Sequence, residues 1–304
     1  MNARLNESEN PLEESELVIN PDGSIFHLHL LPHQLAETVL LVGDQGRVEQ
    51  ISKNFDSITH KTANREFVAH TGTYKGKEIT ALSTGIGADN IDIVLNELDA
   101  LVNIDLQTRC IKKEKKSLNL IRIGTCGALQ PDIPVDSYIV SEFGLGFDGI
   151  AGFYSHLSSE EELDFEKAFF SQVNWSVSTV KPYVAKGSDE LITLLKPEAN
   201  TGITVTGNGF YGPQGRVLRI KTQQENLNEQ LAQFEFNGTK LVNFEMETSA
   251  LYALGSMMGH KTATICAVIA NRHLKEYSKD YKKTVDKMIV YVLEKLVERG
   301  DLTI

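Results

Sequence analysis

From Thr38 onward, runs of consecutive apolar residues alternate with stretches where apolar residues recur every three or four positions. The first pattern suits a buried strand, the second the inner face of a helix. Val39–Val42 is therefore predicted as a strand, and Arg47–Phe55, with Val48, Ile51 and Phe55 on one face, as a helix. Phe67–Tyr74 and Lys77–Ser83 flank Lys75-Gly76 and read as a hairpin. Asn90–Val102 places Ile91, Val94, Leu95, Leu98 and Val102 at helical spacing. Further strands are predicted at Leu118–Ile123, Tyr138–Glu142, Gly202–Thr206, Leu241–Phe244 and Ala263–Ile269, and further helices at Met246–Met258 and Tyr281–Glu298. Strands alternating with helices predict an α/β fold, a single domain with a central sheet flanked by helices. Residues 1–24, rich in Asn, Glu, Pro and Ser, are expected to form an N-terminal arm, partly disordered, outside a folded domain spanning 25–304. No internal repeat is visible, and Lys112–Lys116 reads as a solvated loop.

Composition narrows the class. The chain has 304 residues, 41% of them hydrophobic, enough for a substantial core. Its longest apolar runs are strand-length, so no membrane span is expected. Met1–Glu16 lacks the basic-then-apolar order of a secretion signal. The three cysteines, Cys110, Cys126 and Cys266, are widely spaced and form no Cys-x-x-Cys pair, which argues against a disulfide framework or a zinc site. A reducing cytoplasm is the expected location. The net charge of −11 excludes a broad nucleic-acid-binding face. A small anion can still be held by a local cluster of arginines and backbone amides.

Ligands of α/β sheets bind at the carboxyl ends of strands. The turns that follow the predicted strands are Gly43-Asp44-Gln45-Gly46-Arg47, Thr84-Gly85-Ile86-Gly87, Gly124-Thr125-Cys126-Gly127, Glu245-Met246-Glu247 and Ala270-Asn271-Arg272. Glycine turns let backbone N–H groups approach an oxyanion. Arg47 and Arg122 add the planar, fixed charge that suits phosphate, and Thr125 adds a hydroxyl. Neither a P-loop nor the dinucleotide fingerprint is present, which disfavours nucleoside triphosphates and NAD.

Taken with Phe26-His27-Leu28, Arg65-Glu66-Phe67, Arg122-Ile123-Gly124-Thr125, Phe210–Arg216, Asn243–Glu247 and Asn271-Arg272, these segments resemble the nucleoside phosphorylase superfamily, and its uridine phosphorylase branch in particular. The likeness runs from about Phe26 to the closing helix, with the motifs in the family's order. It implies a mixed, partly barrel-like sheet and the reversible reaction of uridine with phosphate to give uracil and ribose 1-phosphate, in the manner of a pyrimidine salvage enzyme.

By resemblance, phosphate is held by Gly43, Arg47, Arg122 and Thr125, with Arg65 donated by a neighbouring subunit. Ribose is held by Met246 and Glu247, with His27 reaching the 5′-hydroxyl from an adjacent protomer. The base is read by Phe210, Gln214, Arg216, Ile269 and Arg272. Arg122, Glu247 and Arg216 carry the catalytic roles. Glu66, Ile79 and Ser83 match positions that hold K+ or Na+ at a dimer interface, and no other cofactor is implied. The active unit is then at least a homodimer, and a hexamer built as a trimer of dimers is expected. Asn271 stands where purine phosphorylases carry an aspartate that protonates N7, and an amide cannot do this. The chain departs from the family pattern in lacking the proline of the first glycine turn, in the order Gly212-Pro213, in Gly215, and in Cys126 where threonine is common. The competing readings are a broader or purine-directed phosphorylase and a non-catalytic nucleoside-binding protein.

Overall fold

A computed structural model describes residues 10–155 and 158–298. The chain divides into two compact units, Met1–Gly85 with Ile93–Asn119, and Ile86–Asp92 with Leu120–Ile304.

The first unit contains β1 (Thr38–Val42), α1 (Gln45–Ser52), β2 (Ser57–Asn64), β3 (Phe67–Tyr74) and β4 (Lys77–Ser83). After α2 (Ala88–Asn103), which enters this unit at Ile93, come the short strands β5 (Ile104–Asp105) and β6 (Cys110–Ile111). Its main sheet runs β1-β4-β3-β2, with β1 parallel to β4 and the others antiparallel. Both β1 and the core of β4 are apolar and buried, so their hydrophobic runs marked them as strands. β2 is polar and largely exposed, an edge strand held by pairing with β3, and its sequence carries no such run. Lys75 (φ 49°) and Gly76 (φ 81°) form the hairpin turn, as right-handed strand twist requires. α1 begins where Asp44 accepts a hydrogen bond from the Gly46 N–H at 2.9 Å, two residues earlier than predicted. It stops at Ser52, before Phe55. Within residues 10–24, Leu17 is buried, Leu12 N–H donates to Arg109 O at 2.9 Å, and Ile19 bridges Ile25. Residues 1–9 of the expected arm lie outside the described residues. Around Lys112–Lys116, the Asn103 side chain bonds both the N–H and the carbonyl of Lys116.

The second unit is built on β7 (Asn119–Ala128), β8 (Tyr138–Gly146), β10 (Asn200–Thr206), β12 (Thr239–Glu245) and β13 (Lys261–Asn271), with β9 (Tyr183–Lys186), β11 (Glu235–Phe236) and β14 (Glu276–Tyr277) added to them. The neighbours run β7-β13-β8-β10-β12, and β12 pairs again with β7, closing a five-stranded barrel. Around it lie α3 (Glu160–Gln172), α4 (Asp189–Leu195), α5 (Leu227–Gln233), α6 (Thr248–Met258) and α7 (Tyr281–Glu298). α3 opens on a capping box between Ser159 and Glu162, and its Phe165 and Phe169 enter an aromatic core with Phe143, Phe147 and Phe234. α6 begins at Thr248 and not at Met246, because the Glu245 carboxylate accepts the N–H groups of Glu247 and Thr248 and ends the strand there. A Cβ on Gly144 would lie 2.8 Å from Ser249 Cα, so glycine lets the first turn of α6 sit directly on β8. This docking fixes the turn that carries Met246 and Glu247. No helix among the described residues is long and apolar enough to cross a membrane.

Candidate active site

Arg122 lies inside β7, only 6% exposed. Its Nη1 is 3.2 Å from Glu245 Oε2 and donates to Cys266 Sγ at 3.3 Å. Its Nη2 donates to Glu247 Oε2. Burial opposes the charge, but Glu247 and Glu245 outweigh burial and hold the guanidinium above its ordinary pKa. Glu247 is pushed up by burial, while the Arg122 charge pulls against it. Glu247 also accepts the Gly87 N–H at 2.8 Å, so a glycine-turn amide and an arginine grip one carboxylate. Glu245 accepts from Thr206 Oγ1 at 2.7 Å as well as capping α6. The resemblance assigned Glu245 no role. The signal that could have found it is an acid standing directly before a helix.

Gly124 makes room for this arrangement. A Cβ there would fall on Arg122 Nη1 and stand 2.8 Å from both Arg122 Cζ and Cys266 Sγ. Gly124→Ala is therefore expected to unseat the Arg122–Glu247 pair and to destabilise the chain by about 1–3 kcal/mol, read from urea unfolding. Thr125, the next residue, is partly exposed.

The base segment converges as well. Gln214 closes a short 3-10 turn, Gly212–Gln214, and is 2% exposed. Arg216 Nη1 donates to Gln214 Oε1 and to Phe210 O, both at 2.5 Å. Its guanidinium carbon lies 3.8 Å from the Phe210 ring centroid. Arg272 reaches the same turn and donates to Gln214 O at 2.5 Å. Its stem lies over Gly127, where a Cβ would be 3.3 Å from Arg272 Cδ. Burial lowers the pKa of Arg272, and the like charge of Arg216 lowers it further, to about 10. Arg216 on the Gln214 side chain and Arg272 on its main-chain carbonyl bring two guanidiniums to one residue, a donor set suited to electron-rich oxygens. Met246 and Ile269 are half-buried.

Asn271, at the position where purine phosphorylases carry their aspartate, does not turn toward this cluster. Its Nδ2 donates to Gln130 O at 2.9 Å and Ile133 O at 2.8 Å, and its Oδ1 accepts the Leu274 N–H at 2.8 Å. The amide is consumed by main chain, and the side chain is 1% exposed.

In the first unit, a Cβ on Gly43 would be 3.3 Å from Gly85 O, so the two glycine turns lie against each other. Arg47 is half-buried in the first turn of α1. Arg65 is exposed at the tip between β2 and β3, with φ 54°, and Gln45 Nε2 donates to its carbonyl at 2.7 Å. Asn64 Nδ2 donates to His27 O at 2.9 Å, which places His27 beside that tip. His27 Nδ1 is 2.6 Å from Glu97 Oε1, and the His27 and Leu28 N–H groups donate to the same carboxylate. Glu97 was missed because nothing in its own helix sets it apart.

The cation expected at Glu66, Ile79 and Ser83 belongs to an interface between protomers. Ser83 Oγ donates to Glu66 O at 2.6 Å and accepts the Val68 N–H at 2.7 Å, so its donor and an acceptor are spent on main chain. Ile79 is fully buried in the same strand, and four residues of strand span about 13 Å.

The family model of the phosphorylase superfamily matches residues 37–298, running through both units. The uridine phosphorylase of Thermococcus kodakarensis is 30% identical over 265 residues, covering 86% of this chain and 83% of that one. The uridine phosphorylase of Haemophilus influenzae is 27% identical over 274 residues, covering 88% and 96%. The crystal structure of a Trypanosoma brucei nucleoside phosphorylase, described as showing uridine phosphorylase activity, superposes with a TM-score of 0.84 at 29% identity, covering 93% of this chain and 99% of that one. With its closed barrel, flanking helices and matched sequence, the chain belongs to the phosphorylase superfamily, in the uridine phosphorylase branch.

Proposed function

We propose that this chain catalyses the reversible phosphorolysis of a pyrimidine nucleoside, uridine and phosphate giving uracil and ribose 1-phosphate. The observation that carries the substrate class is the meeting of Gln214, Arg216 and Arg272 at one turn. An amide offers uracil both an acceptor for N3–H and a donor, and the guanidiniums offer donors to ring oxygens. Arg122 and Thr125 bind phosphate, a role the resemblance extends to Gly43, Arg47 and a neighbour's Arg65. Glu247 accepts the ribose 2′- and 3′-hydroxyls, Met246 packs on the sugar, and His27 serves the 5′-hydroxyl of an adjacent protomer.

A phosphate oxygen forms the new bond to C1′ as the C1′–N1 bond breaks. The bonding pair leaves with the base and spreads onto its oxygens, and the proton of hydrogen phosphate ends on N1. Arg216 and Arg272 stabilise the departing base more than the bound nucleoside, which lowers the barrier. The buried Glu247 carboxylate stabilises the positive charge that develops on the sugar. Phosphate is a co-substrate, and no step uses the cation expected from Glu66, Ile79 and Ser83.

The roles that the resemblance gives a neighbour's His27 and Arg65 require an active homo-oligomer, a dimer at least and a hexamer as a trimer of dimers. A cytoplasmic enzyme of pyrimidine salvage is the matching cellular role. The test is a nucleoside panel with and without phosphate, followed by chromatography of released bases. Uracil release that needs phosphate, with inosine turned over at least about a hundredfold more slowly, is the expected result. Equal turnover of inosine would move the assignment to a broad phosphorylase, and uridine binding without turnover would make the chain a nucleoside-binding protein.

A further inference from the structure

Behind the base segment, the second unit holds a cavity of about 640 Å³. That is the size of a small-molecule site. Of the residues assigned to the nucleoside, Gln214, Arg272, Met246 and Glu247 do not line it, whereas Arg216 does. Its walls are apolar, with Phe147, Trp175, Leu218 and Ile220 facing the space. Trp175 and Phe147 are also firmly held. Trp175 Nε1 donates to Val177 O at 3.1 Å and Val180 O at 2.9 Å, and its ring lies 4.6 Å from that of Phe147. Gln224, 5% exposed, accepts the Ser176 N–H at 2.7 Å and donates to Asn174 O at 2.7 Å, pinning the segment that carries the tryptophan.

The rim has a definite charge. Arg216, Arg219 and Lys221 line the cavity, and no aspartate or glutamate does among the described residues, in a chain of net charge −11. Leu218 and Ile220, each 77% exposed, stand beside these cations with little cover. Apolar walls under a cationic rim complement a molecule with an apolar body and one acidic group. Arg216 belongs to both places, since it lines the cavity and donates to Gln214 Oε1. An acid that draws Arg216 outward takes it from the base.

We propose that this cavity is a second binding site, for a small carboxylate with an alkyl or aryl body, and that its occupancy weakens nucleoside binding through Arg216. Only the coupling rests on the assignment of Arg216 to the base.

Trp175 is the single tryptophan, so its emission reports the cavity directly. The full chain is titrated with decanoate and decylamine below their micelle concentrations and with decanol below its solubility limit. Decanoate is expected to change the emission saturably, decanol to bind about tenfold more weakly, and decylamine to give no saturable change. The double variant Arg219→Gln/Lys221→Gln is expected to lose about tenfold in decanoate affinity while keeping its KM for uridine. Decanoate is expected to raise the uridine KM of the parent and, because Arg216 also stabilises the departing base, to lower its kcat. A non-saturable response, equal binding of decylamine, or unchanged decanoate affinity in the double variant overturns the site. Saturable binding with an unchanged uridine KM overturns the coupling. The emission readout holds whatever nucleoside the enzyme turns over, so failure here is separable from failure of the substrate assignment.

Discussion

Replacing Arg122 with methionine is expected to lower kcat/KM for phosphorolysis by about a thousandfold and the stability of the fold by about 3–5 kcal/mol at pH 7. Both effects come from one geometry. Arg122 is nearly buried and forms ion pairs with Glu245 and Glu247, each less than 5% exposed. Methionine fills the space but leaves two carboxylates close together without their counter-charge. The desolvation penalty of each is then uncompensated. The phosphate dianion also loses its buried guanidinium, the contact that positions it for attack.

The loss of stability has a sign in pH. Burial already raises Glu247 above the ordinary carboxylate pKa, and Arg122 opposes that rise. Without the arginine it rises further. An acid whose folded pKa lies above its unfolded value binds more protons in the folded state, so stability falls as pH increases through that interval. The deficit of the variant therefore grows as pH rises through the raised folded pKa and shrinks toward about pH 4, where the unfolded carboxylates also become protonated. Urea unfolding at a series of pH values, alongside steady-state kinetics at saturating uridine with phosphate varied, measures both effects. A variant with parental stability would mean the ion pairs contribute nothing net. One with a parental KM and kcat for phosphate would remove Arg122 from the phosphate site.

What could be read from the sequence was what neighbouring residues determine. The hairpin at Lys75-Gly76 is local, since two residues must take positive φ between two apolar strands. The apolar runs of β1, β4 and β13 announce buried strands. β2 could not be seen this way, because its polar side chains face outward and only pairing with β3 makes it a strand. The short helices α4 and α5 have too few turns to show a period. The site divides similarly. Glycines and arginines in turns were legible as types, and Gln214 and Arg216 lie two residues apart. The grip of Glu97 on His27 joins residues 70 apart, and the pair of Arg122 with Glu247 joins residues 125 apart. No local pattern encodes such partners. The closing of the barrel by β12 on β7 likewise depends on the whole chain. The direction of the Asn271 side chain was the hardest to read, because an asparagine that serves a ligand and one that ties down a loop look alike in a sequence.

That direction gives the second large effect. Asn271→Asp is expected to destabilise the chain by about 2–5 kcal/mol at pH 7 and to confer no purine phosphorolysis. The amide nitrogen donates to Gln130 O and Ile133 O, and an ionised aspartate would set an oxygen against both carbonyls. Two carbonyls lose their donor and a charge is buried without a partner, which are the costly halves of a broken hydrogen bond. Only the bond from the Leu274 N–H to the other oxygen survives. A protonated aspartate restores one donor, so burial raises the pKa of the new carboxyl and the variant regains stability as pH falls, again because the folded state binds the extra proton. Proton donation to a purine would require the carboxyl to face the base, whereas this side chain faces the backbone of residues 130–133. The measurements are urea unfolding at pH 7 and pH 5 and the ratio of inosine to uridine turnover. Near-parental stability at pH 7 would show that the amide bonds carry no net energy. A gain in inosine turnover would show that the residue swings toward the base during catalysis, and would restore position 271 as a specificity determinant.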